Sequence, residues 1–283
     1  MGRQPQPRVG LIDRACTLFA SAQRLRDEGS PQRALRASAR ALDLFRQHGD
    51  PKCLDVANIL LERSGIYLDL GRYAAADASL EEALGIVRTR RAGGDVARLH
   101  HQVFVQAGHV QVLRAKHTPA RRLFARALAT AETHQLGGAA LARARNGLGM
   151  VAKYTGRFAE GEAHYRRALR ELGPPRDATA QLRATLFHNL GGLEHARGRF
   201  ERAEVWARRG LALRTHHCGA TSTATALDLA ALAAIVQGGC RYEEAARLYS
   251  RALSILRRRL GPDHVEVAFN LRQLATLERA RRG

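Results

Sequence analysis

Polar side chains recur at helical spacing along this chain, and their chemistry suits binding. Four residues at i, i+3, i+7 and i+10 share one face of a helix: Arg143, Asn146, Met150 and Lys153. An asparagine or glutamine amide can donate one hydrogen bond to a peptide backbone and accept another. Arginine and lysine can pair with carboxylates, arginine in a bidentate manner. A face of this composition can therefore hold an extended, acidic peptide segment.

Faces of similar composition occur in two further parts of the chain. They combine amides, hydroxyls, imidazoles and cations at spacings that place them on one side of a helix. The carboxyl-terminal half contributes Thr185, His188, Asn189, His195, Gln237, Arg272, Gln273, Thr276 and Arg279. The amino-terminal half has fewer cations and contributes Asn58, Gln102, Gln106 and His109. The alternative, that each polar face is simply the solvated side of its helix, stays open at this point.

Two histidine clusters, residues 100–101 and 216–218, look at first like metal ligands. Adjacent residues on a helix point about 100° apart, and no third or fourth ligand follows at a metal-binding spacing. The sequence also contains no glycine-rich phosphate loop and no nucleophile–base motif. We therefore expect no metal, no cofactor and no enzymatic activity.

The chain of 283 residues is strongly basic, with a formal net charge of +20. Lysine occurs only as Lys52, Lys116 and Lys153, so 43 of the 46 basic residues are arginine. Such basicity indicates an acidic partner, either a protein or a nucleic acid. The same arginine excess, beside abundant alanine and leucine, is also typical of a GC-rich genome, and both explanations stay open.

The cysteines and the apolar segments bear on the compartment. The four cysteines are far apart and form no C-x-x-C pair: Cys16, Cys53, Cys218 and Cys240. This spacing favours a reducing compartment over a disulfide framework. The amino terminus is a poor signal peptide, and no apolar run reaches membrane-spanning length. We expect a cytoplasmic protein without a membrane partner.

A pattern of about 42 residues repeats through the chain, and small residues mark it most clearly. One set recurs at intervals of 41 to 44 residues: Ala22, Ser64, Gly108, Gly149, Gly191, Ala233 and Ala275. Two further sets follow in each repeat: Ala34, Ala76, Ala120, Gly161, Ala203 and Ala245, then Ala41, Ala83, Ala127, Ala168, Gly210 and Ala252. Helix axes can approach to about 8 Å only where no large side chain intervenes. The pattern therefore predicts an all-α array of closely packed helical hairpins.

The repeat positions predict the domain organisation. We expect a flexible amino terminus over residues 1–10 and a single solenoid over 11–283. A final helix at 263–282 is expected to cap the last apolar face. Residues 91–96, 173–177 and 216–223 are predicted to be turns between repeats. The predicted hairpins are 11–47, 54–88, 96–131, 138–172, 180–214 and 223–258.

This pattern resembles the tetratricopeptide repeat family, whose hairpins carry small residues at the same three places. That family's common period is 34 residues. The longer period here, and the segment LGPDHVEVAFNLRQLATLERA (260–280), are similar to the repeats of kinesin light chains and of many bacterial multi-repeat proteins. The resemblance implies a right-handed superhelical solenoid in which the first helix of each hairpin lines a concave groove.

The resemblance also implies that the polar faces described above point into this groove. Asn146 and Asn189 best match the groove asparagines of kinesin light chains, which bind acidic peptide segments together with nearby cations. The sixth repeat departs from the pattern because it has Ala230 and Ala231 at the corresponding place. Continuous contact with a peptide through that repeat is therefore in doubt.

These observations predict a non-enzymatic adaptor, scaffold or regulatory protein that binds another protein through a peptide segment, with a bias toward acidic segments. One alternative is nucleic-acid binding through arginine runs such as 166–169, 208–210 and 257–259. These runs have carboxylates nearby and no interleaved aromatic residues, which favours a plain solvated surface. A second alternative is the recognition subunit of a separately encoded effector, such as a protease.

Overall fold

The structure is a computed structural model that describes residues 8–90 and 93–280. These residues form thirteen α-helices and no β-strand, which confirms the predicted all-α fold. Six consecutive helix pairs are followed by one unpaired helix. The helices are α1 (Arg8–Asp27), α2 (Pro31–His48), α3 (Leu54–Asp69), α4 (Tyr73–Arg88), α5 (Gly94–Leu113), α6 (His117–Thr133), α7 (Gly138–Tyr154), α8 (Phe158–Glu171), α9 (Asp177–Ala196), α10 (Phe200–Cys218), α11 (Thr223–Gly238), α12 (Tyr242–Leu260) and α13 (Val265–Ala280).

The helices group into two compact units, Met1–Ala140 and Leu141–Gly283. The first unit holds α1 to α6, and the second holds most of α7 and all of α8 to α13. Each unit has an aliphatic core in which alanine and leucine predominate. The single uninterrupted solenoid stays a prediction, as does the amino-terminal segment, of which residues 1–7 lie outside the described residues.

The small residues allow the two helices of a pair to approach closely. A Cβ atom added to Gly108 would lie 2.6 Å from Cε1 of Phe124 on the second helix of the same pair. A Cβ atom on Gly149 would lie 2.5 Å from Cε1 of Tyr165. Both aromatic side chains are completely buried. Each glycine therefore provides the space into which an aromatic ring of the partner helix packs.

Of the nineteen small positions, eighteen are buried and one, Ala275 on α13, is exposed. The cap helix covers its neighbours with Val267 and Leu277, which join the clusters of α11 and α12. It still exposes Phe269 and Leu271. α13 has the pattern of a first helix, but within the described residues no second helix of its own pair follows it. α13 therefore covers the apolar surface of the sixth helix pair and leaves apolar side chains of its own exposed.

The first helix of every pair is followed, two residues after its last residue, by a residue in the left-handed conformation. This residue lies seven positions after the small residue, with φ between 57° and 76°: Gly29, Gly71, Ala115, Gly156, Gly198 and Cys240. Glycine adopts this conformation without a steric penalty. At Cys240 the same capping bonds form, from its N–H to the Gln237 carbonyl (2.9 Å) and from Arg241 N–H to the Val236 carbonyl (3.1 Å). The geometry is thus retained where the residue type is unfavourable.

Candidate functional site

The residues selected from the sequence lie on the first helices of the pairs and on the unpaired helix α13. Within the first unit α3 contacts α1 and α5, and within the second unit α9 contacts α11, so first helices lie beside one another. The exposed members of the set are Gln102, Arg143, Arg272, Thr276 and Arg279. The half-buried members are Asn58, Gln106, His109, Met150, Lys153, Thr185, His188, Asn189, His195, Gln237 and Gln273. Asn146 is buried, with 5% of its surface exposed.

A hydrogen bond between two asparagine side chains connects α7 to α9. Nδ2 of Asn189 donates to Oδ1 of Asn146 at 2.7 Å. Nδ2 of Asn146 points at the sulfur of Met150, 3.9 Å away. Among the described residues Oδ1 of Asn189 has no hydrogen-bond partner, so this half-buried acceptor is available to an N–H group of a ligand.

The ammonium group of Lys153 lies one helical turn after Met150 on the same side of α7. Nζ of Lys153 lies 4.7 Å from the ring centroid of Tyr154, and 3.5 Å from the position a Cβ atom of Gly192 would take. Burial lowers the pKa of Lys153. The pKa of His195 on α9 is also lowered, by burial and to a lesser extent by Lys153, while a hydrogen bond to the Ala234 backbone opposes the shift.

Together these residues form a set that extends across two helices joined by the hydrogen bond between Asn189 and Asn146. We call it the α7–α9 stripe, and its members are Asn146, Met150, Lys153, Asn189, Gly192 and His195. Helix α7 contains three basic residues and no acidic residue. The stripe thus offers amides and the Lys153 ammonium group to a ligand, without an acidic side chain on α7 to repel carboxylates.

In a second cluster of side chains, two of the predicted binding residues make hydrogen bonds within the protein itself. Nδ1 of His188 lies 2.8 Å from Oδ1 of Asp228 on α11, whose Oδ2 accepts from Nε of Arg214 at 3.1 Å. Arg214 also donates to the hydroxyl of Thr185 at 3.2 Å. Asp228 is 4% exposed, so its charge is compensated by these partners inside the protein. Thr185 and His188 therefore fix α9 against α10 and α11 at this point.

In the first unit the predicted residues do not form a comparable network. No hydrogen bond joins the described side chains of Asn58, Gln102, Gln106 and His109 to one another. His109 packs edge-on against Phe124, with ring centroids 5.3 Å apart. Burial lowers its pKa to about 4, so its imidazole is neutral at pH 7. This part of the set offers amides without a cation.

Comparison with known families assigns this fold. Tetratricopeptide repeat models match residues 57–87, 141–171, 181–258 and 222–283, which together span more than half of the chain. The chain belongs to the tetratricopeptide repeat family. This confirms the resemblance drawn from the small residues. A search of the curated proteins finds no match.

Solved structures of other tetratricopeptide repeat proteins share the fold. BtubC (BKLC) from P. vanneervenii is 21% identical with a TM-score of 0.55, over 88% of this chain and 91% of that one. One chain of the APC/C hetero-tetramer Cut9–Hcn1 is 16% identical with a TM-score of 0.63, over 94% of this chain and 44% of that one. A putative kinesin light chain from Podospora anserina is 16% identical with a TM-score of 0.51, over 71% and 94%. At these identities the likeness is one of fold.

The second helices of this tetratricopeptide repeat protein carry ion pairs between successive repeats. Arg46 pairs with Glu82 at 2.5 Å, and Arg208 pairs with Glu244 at 2.7 Å. Within the arginine run 257–259, Arg258 and Arg259 donate to backbone carbonyls of Ser254 and Thr221. Part of the arginine excess on this surface is therefore neutralised by the protein itself.

Within the described part of the chain, no three His, Cys, Asp or Glu side chains are placed to hold a metal ion. Among the helices described, none is both long enough and apolar enough to cross a membrane.

Sequence reasoning missed Asp228 and Arg214, although a signal for the first was present. Asp228 is the only charged residue in the apolar helix α11, and a buried lone carboxylate needs a partner. Nothing comparable marked Arg214 among the many arginines of the second helices.

Proposed function

We propose that this protein is a non-enzymatic, cytoplasmic adaptor that binds an acidic peptide segment of another protein along the α7–α9 stripe. Membership of the tetratricopeptide repeat family supports a protein-interaction scaffold in general. One structural neighbour is a chain of the APC/C hetero-tetramer Cut9–Hcn1, which is an example of the fold in a protein assembly. The acidic, extended character of the ligand is inferred from the side chains of the stripe.

The hydrogen bond between Asn146 and Asn189 is the observation that carries this proposal. It holds two amides at a fixed distance across neighbouring helices and leaves Oδ1 of Asn189 for a ligand N–H. A pre-ordered amide costs little conformational entropy when a peptide binds. Asparagines that were only part of a solvated surface would not need a side-chain hydrogen bond from one helix to the next.

The cations around the asparagines support an acidic ligand. Arg143 is exposed one turn before Asn146, and Lys153 lies two turns after it on the same side of α7. On α13, Arg279 is exposed at the repeat position of Lys153, and Arg272 is exposed at the repeat position of Asn146. We infer that a longer segment reaches these arginines, whereas Thr185 and His188 act mainly by holding α9 in place.

Selection of peptides on the full-length chain tests this function. A random peptide display library is selected against the wild-type protein with nuclease present and at moderate salt. We expect enrichment of Asp- and Glu-rich sequences. Affinity should fall about tenfold in Asn146→Ala/Asn189→Ala, because the ligand loses its hydrogen bond to Oδ1 of Asn189.

A matched surface variant controls for loss of charge elsewhere. Arg257→Gln/Arg258→Gln removes two exposed cations from α12, far along the chain from the stripe, and should leave peptide affinity within about twofold. Peptide binding that ignores the asparagines would contradict the proposal. Capture of nucleic acid alone, reduced by the α12 variant and by salt, would establish the nucleic-acid alternative instead.

A further inference from the structure

The exposed arginines of helix α8 are compensated by glutamates of the same helix. Arg166 pairs with Glu162 at 2.9 Å, and Arg167 pairs with Glu171 at 3.3 Å. Each partner lies one helical turn before or after its arginine, where side chains of a helix meet. These two guanidinium groups therefore add little net charge to the surface of α8.

Helix α10 repeats this arrangement one repeat later. Arg208 pairs with Glu204 of the same helix at 2.7 Å, and with Glu244 of α12 at 2.7 Å. Arg208 holds the repeat position of Arg166, two residues before the last small residue of the second helix. Glu204 likewise holds the repeat position of Glu162. The glutamate–arginine pair is thus a repeated feature of these two helices.

Helix α12 departs from this arrangement. Ala246 stands at the repeat position of the glutamate, and Ser250 stands at that of the paired arginine. The helix exposes Arg247, Arg251 and Arg258. Within the described part of the chain, no ion pair joins these three guanidinium groups to a carboxylate. The outer side of α12 therefore carries an uncompensated positive charge.

The acidic residues of α12 are confined to its first turn. Glu244 accepts hydrogen bonds from Arg208 of α10, at 2.7 Å, and from Arg241, the residue before α12. No acidic residue follows Glu244 in this helix. The carboxylates of α12 are thus used at its amino-terminal end and leave the rest of the helix basic.

The free arginines of α12 lie on one face of the helix, together with two hydroxyl groups. Arg247, Ser250, Arg251, Ser254 and Arg258 follow one another at i, i+3, i+4, i+7 and i+11. We call this set the α12 arginine face. All five of its side chains are exposed. At a rise of 1.5 Å per residue the face extends over about 16 Å.

The composition of the α12 arginine face fits a backbone of phosphodiester groups. Arginine and serine side chains are among those that commonly hydrogen-bond to the phosphate oxygens of nucleic acids. A duplex carries about one negative charge per 1.7 Å of its axis, so the face would meet roughly ten charges along its length. Three cations on a rigid helix can contact such a dense array without a fixed register.

The same composition argues against two other polyanions. A helix that lies on an anionic membrane inserts large apolar side chains beside its cations, and the α12 arginine face contains none. Single-stranded nucleic acid is commonly held by aromatic side chains on which the bases stack, and the face contains none of these either. Contact through phosphates alone favours a duplex, because its charge density is higher than that of a single strand.

We propose that the α12 arginine face is a second binding surface, which takes the phosphate backbone of a nucleic-acid duplex independently of base sequence. The face lies on a second helix, whereas the proposed peptide contact uses the first helices α7 and α9. The duplex would therefore bind in addition to a protein partner. A chain with both surfaces links that partner to nucleic acid.

The salt dependence of duplex binding provides the first test on the full-length chain. The probe is a short, fluorescently labelled DNA duplex, and binding is followed by anisotropy at several salt concentrations. Arg247→Gln/Arg251→Gln should weaken binding about tenfold at low salt. It should also lower the slope of log affinity against log salt concentration by about two, because each lost phosphate contact releases about 0.9 counter-ion fewer.

Helix α8 supplies a control variant with the same change of net charge. Arg166→Gln/Arg167→Gln also removes two exposed arginines, but both are paired within the protein. The glutamates left behind keep Arg197 and Arg145 as partners, so the fold should be retained. Duplex affinity and salt slope should stay within about twofold and about half a unit of the wild type.

A carboxylate placed within the face provides the second test. Ser254 lies three residues after Arg251 and four residues before Arg258, so that Ser254→Glu can pair with both arginines. This variant should lose duplex binding at least about tenfold. Ser254→Gln, which has a similar size and no charge, should bind the duplex as the wild type does. Because Ser254 is exposed, the midpoint of thermal unfolding should be similar in both variants.

The outcomes separate this surface from general basicity and from the proposed function. Equal losses in the α8 and α12 double variants would overturn the proposal, because overall charge alone would then attract DNA. Tighter binding of the corresponding single strand, or of vesicles of phosphatidylcholine and phosphatidylserine, would overturn it as well. Asn146→Ala/Asn189→Ala should bind the duplex as the wild type does, so failure of the peptide contact leaves this surface intact.

Discussion

Asn189 and Asn146 are joined side chain to side chain at 2.7 Å although 43 residues separate them in the sequence. Asn146 is buried on α7, whereas Asn189 is half-buried on α9. Because the bond connects the first helices of two successive repeats, it fixes their register. The same contact therefore contributes to the stability of the second unit and to the order of its candidate binding surface.

This contact should be detectable as an interaction energy. In a double-mutant cycle, Asn146→Ala and Asn189→Ala should be non-additive by about 1 kcal/mol in the free energy of unfolding, because the hydrogen bond exists only when both amides are present. Urea denaturation of the wild type and the three variants measures this coupling. Additive effects of the two substitutions would mean that the hydrogen bond contributes nothing in solution.

A second prediction concerns the glycines under aromatic rings. Gly149→Ala should destabilise the protein by about 1–3 kcal/mol, because the new methyl group would meet the buried ring of Tyr165. The matched control is Gly85→Ala on α4, where the added methyl group meets nothing within 4 Å. That substitution should stabilise by about 0.5–1 kcal/mol, since alanine is the better helix former. Thermal or urea unfolding of both variants distinguishes the close approach from ordinary helix propensity.

The helices could be predicted from the sequence because the close approach of paired helices requires small residues, and these recur at a fixed interval. Gly108 and Gly149 must be small for Phe124 and Tyr165 to pack, and this requirement recurs at a fixed interval. A single exception, Ala275, follows the sequence rule although nothing covers it in the described structure. The repeat pattern thus records the helix pairing of the family, including a position where the partner is missing.

The site was less predictable, because its contacts join residues about 40 positions apart. Helical spacing placed Asn146 and Lys153 on one side of α7, but it did not show that Lys153 lies over Gly192. Helical spacing also predicted that His188 and Asn189 would both be available to bind a ligand. Only the packing of α11 reveals that Asp228 engages His188 within the protein. Spacing along one helix selects a face, and the neighbouring helix decides which side chains on it remain available.

A third prediction concerns the helix ends that lack glycine. Cys240→Gly and Ala115→Gly should each stabilise the protein by about 0.5–1 kcal/mol, because both residues have positive φ and a Cβ atom is unfavourable there. Gly198→Ala, at the same repeat position, is the reciprocal control and should destabilise by about 1–2 kcal/mol. Shifts in the midpoint of thermal unfolding test all three. Destabilisation by Cys240→Gly would show that its side chain makes a contribution larger than the backbone penalty.

A fourth prediction links His109 to the pH dependence of stability. Burial lowers the pKa of His109 from 6.5 to about 4 in the folded protein, whereas the unfolded chain keeps the ordinary value. The unfolded state therefore takes up a proton at a higher pH than the folded state does, and protonation favours unfolding. The stabilising effect is fully present above about pH 6.5 and is lost as the pH falls toward 4.

His109→Gln removes this titration and provides the test. Between pH 7 and pH 5 the wild type should lose more free energy of unfolding than the variant, because only the wild type has an imidazole that must stay neutral in the fold. Urea denaturation at both pH values measures the difference. Equal losses in the two proteins would show that His109 is protonated in the folded state as readily as in the unfolded chain, and that the ring beside Phe124 remains accessible to water.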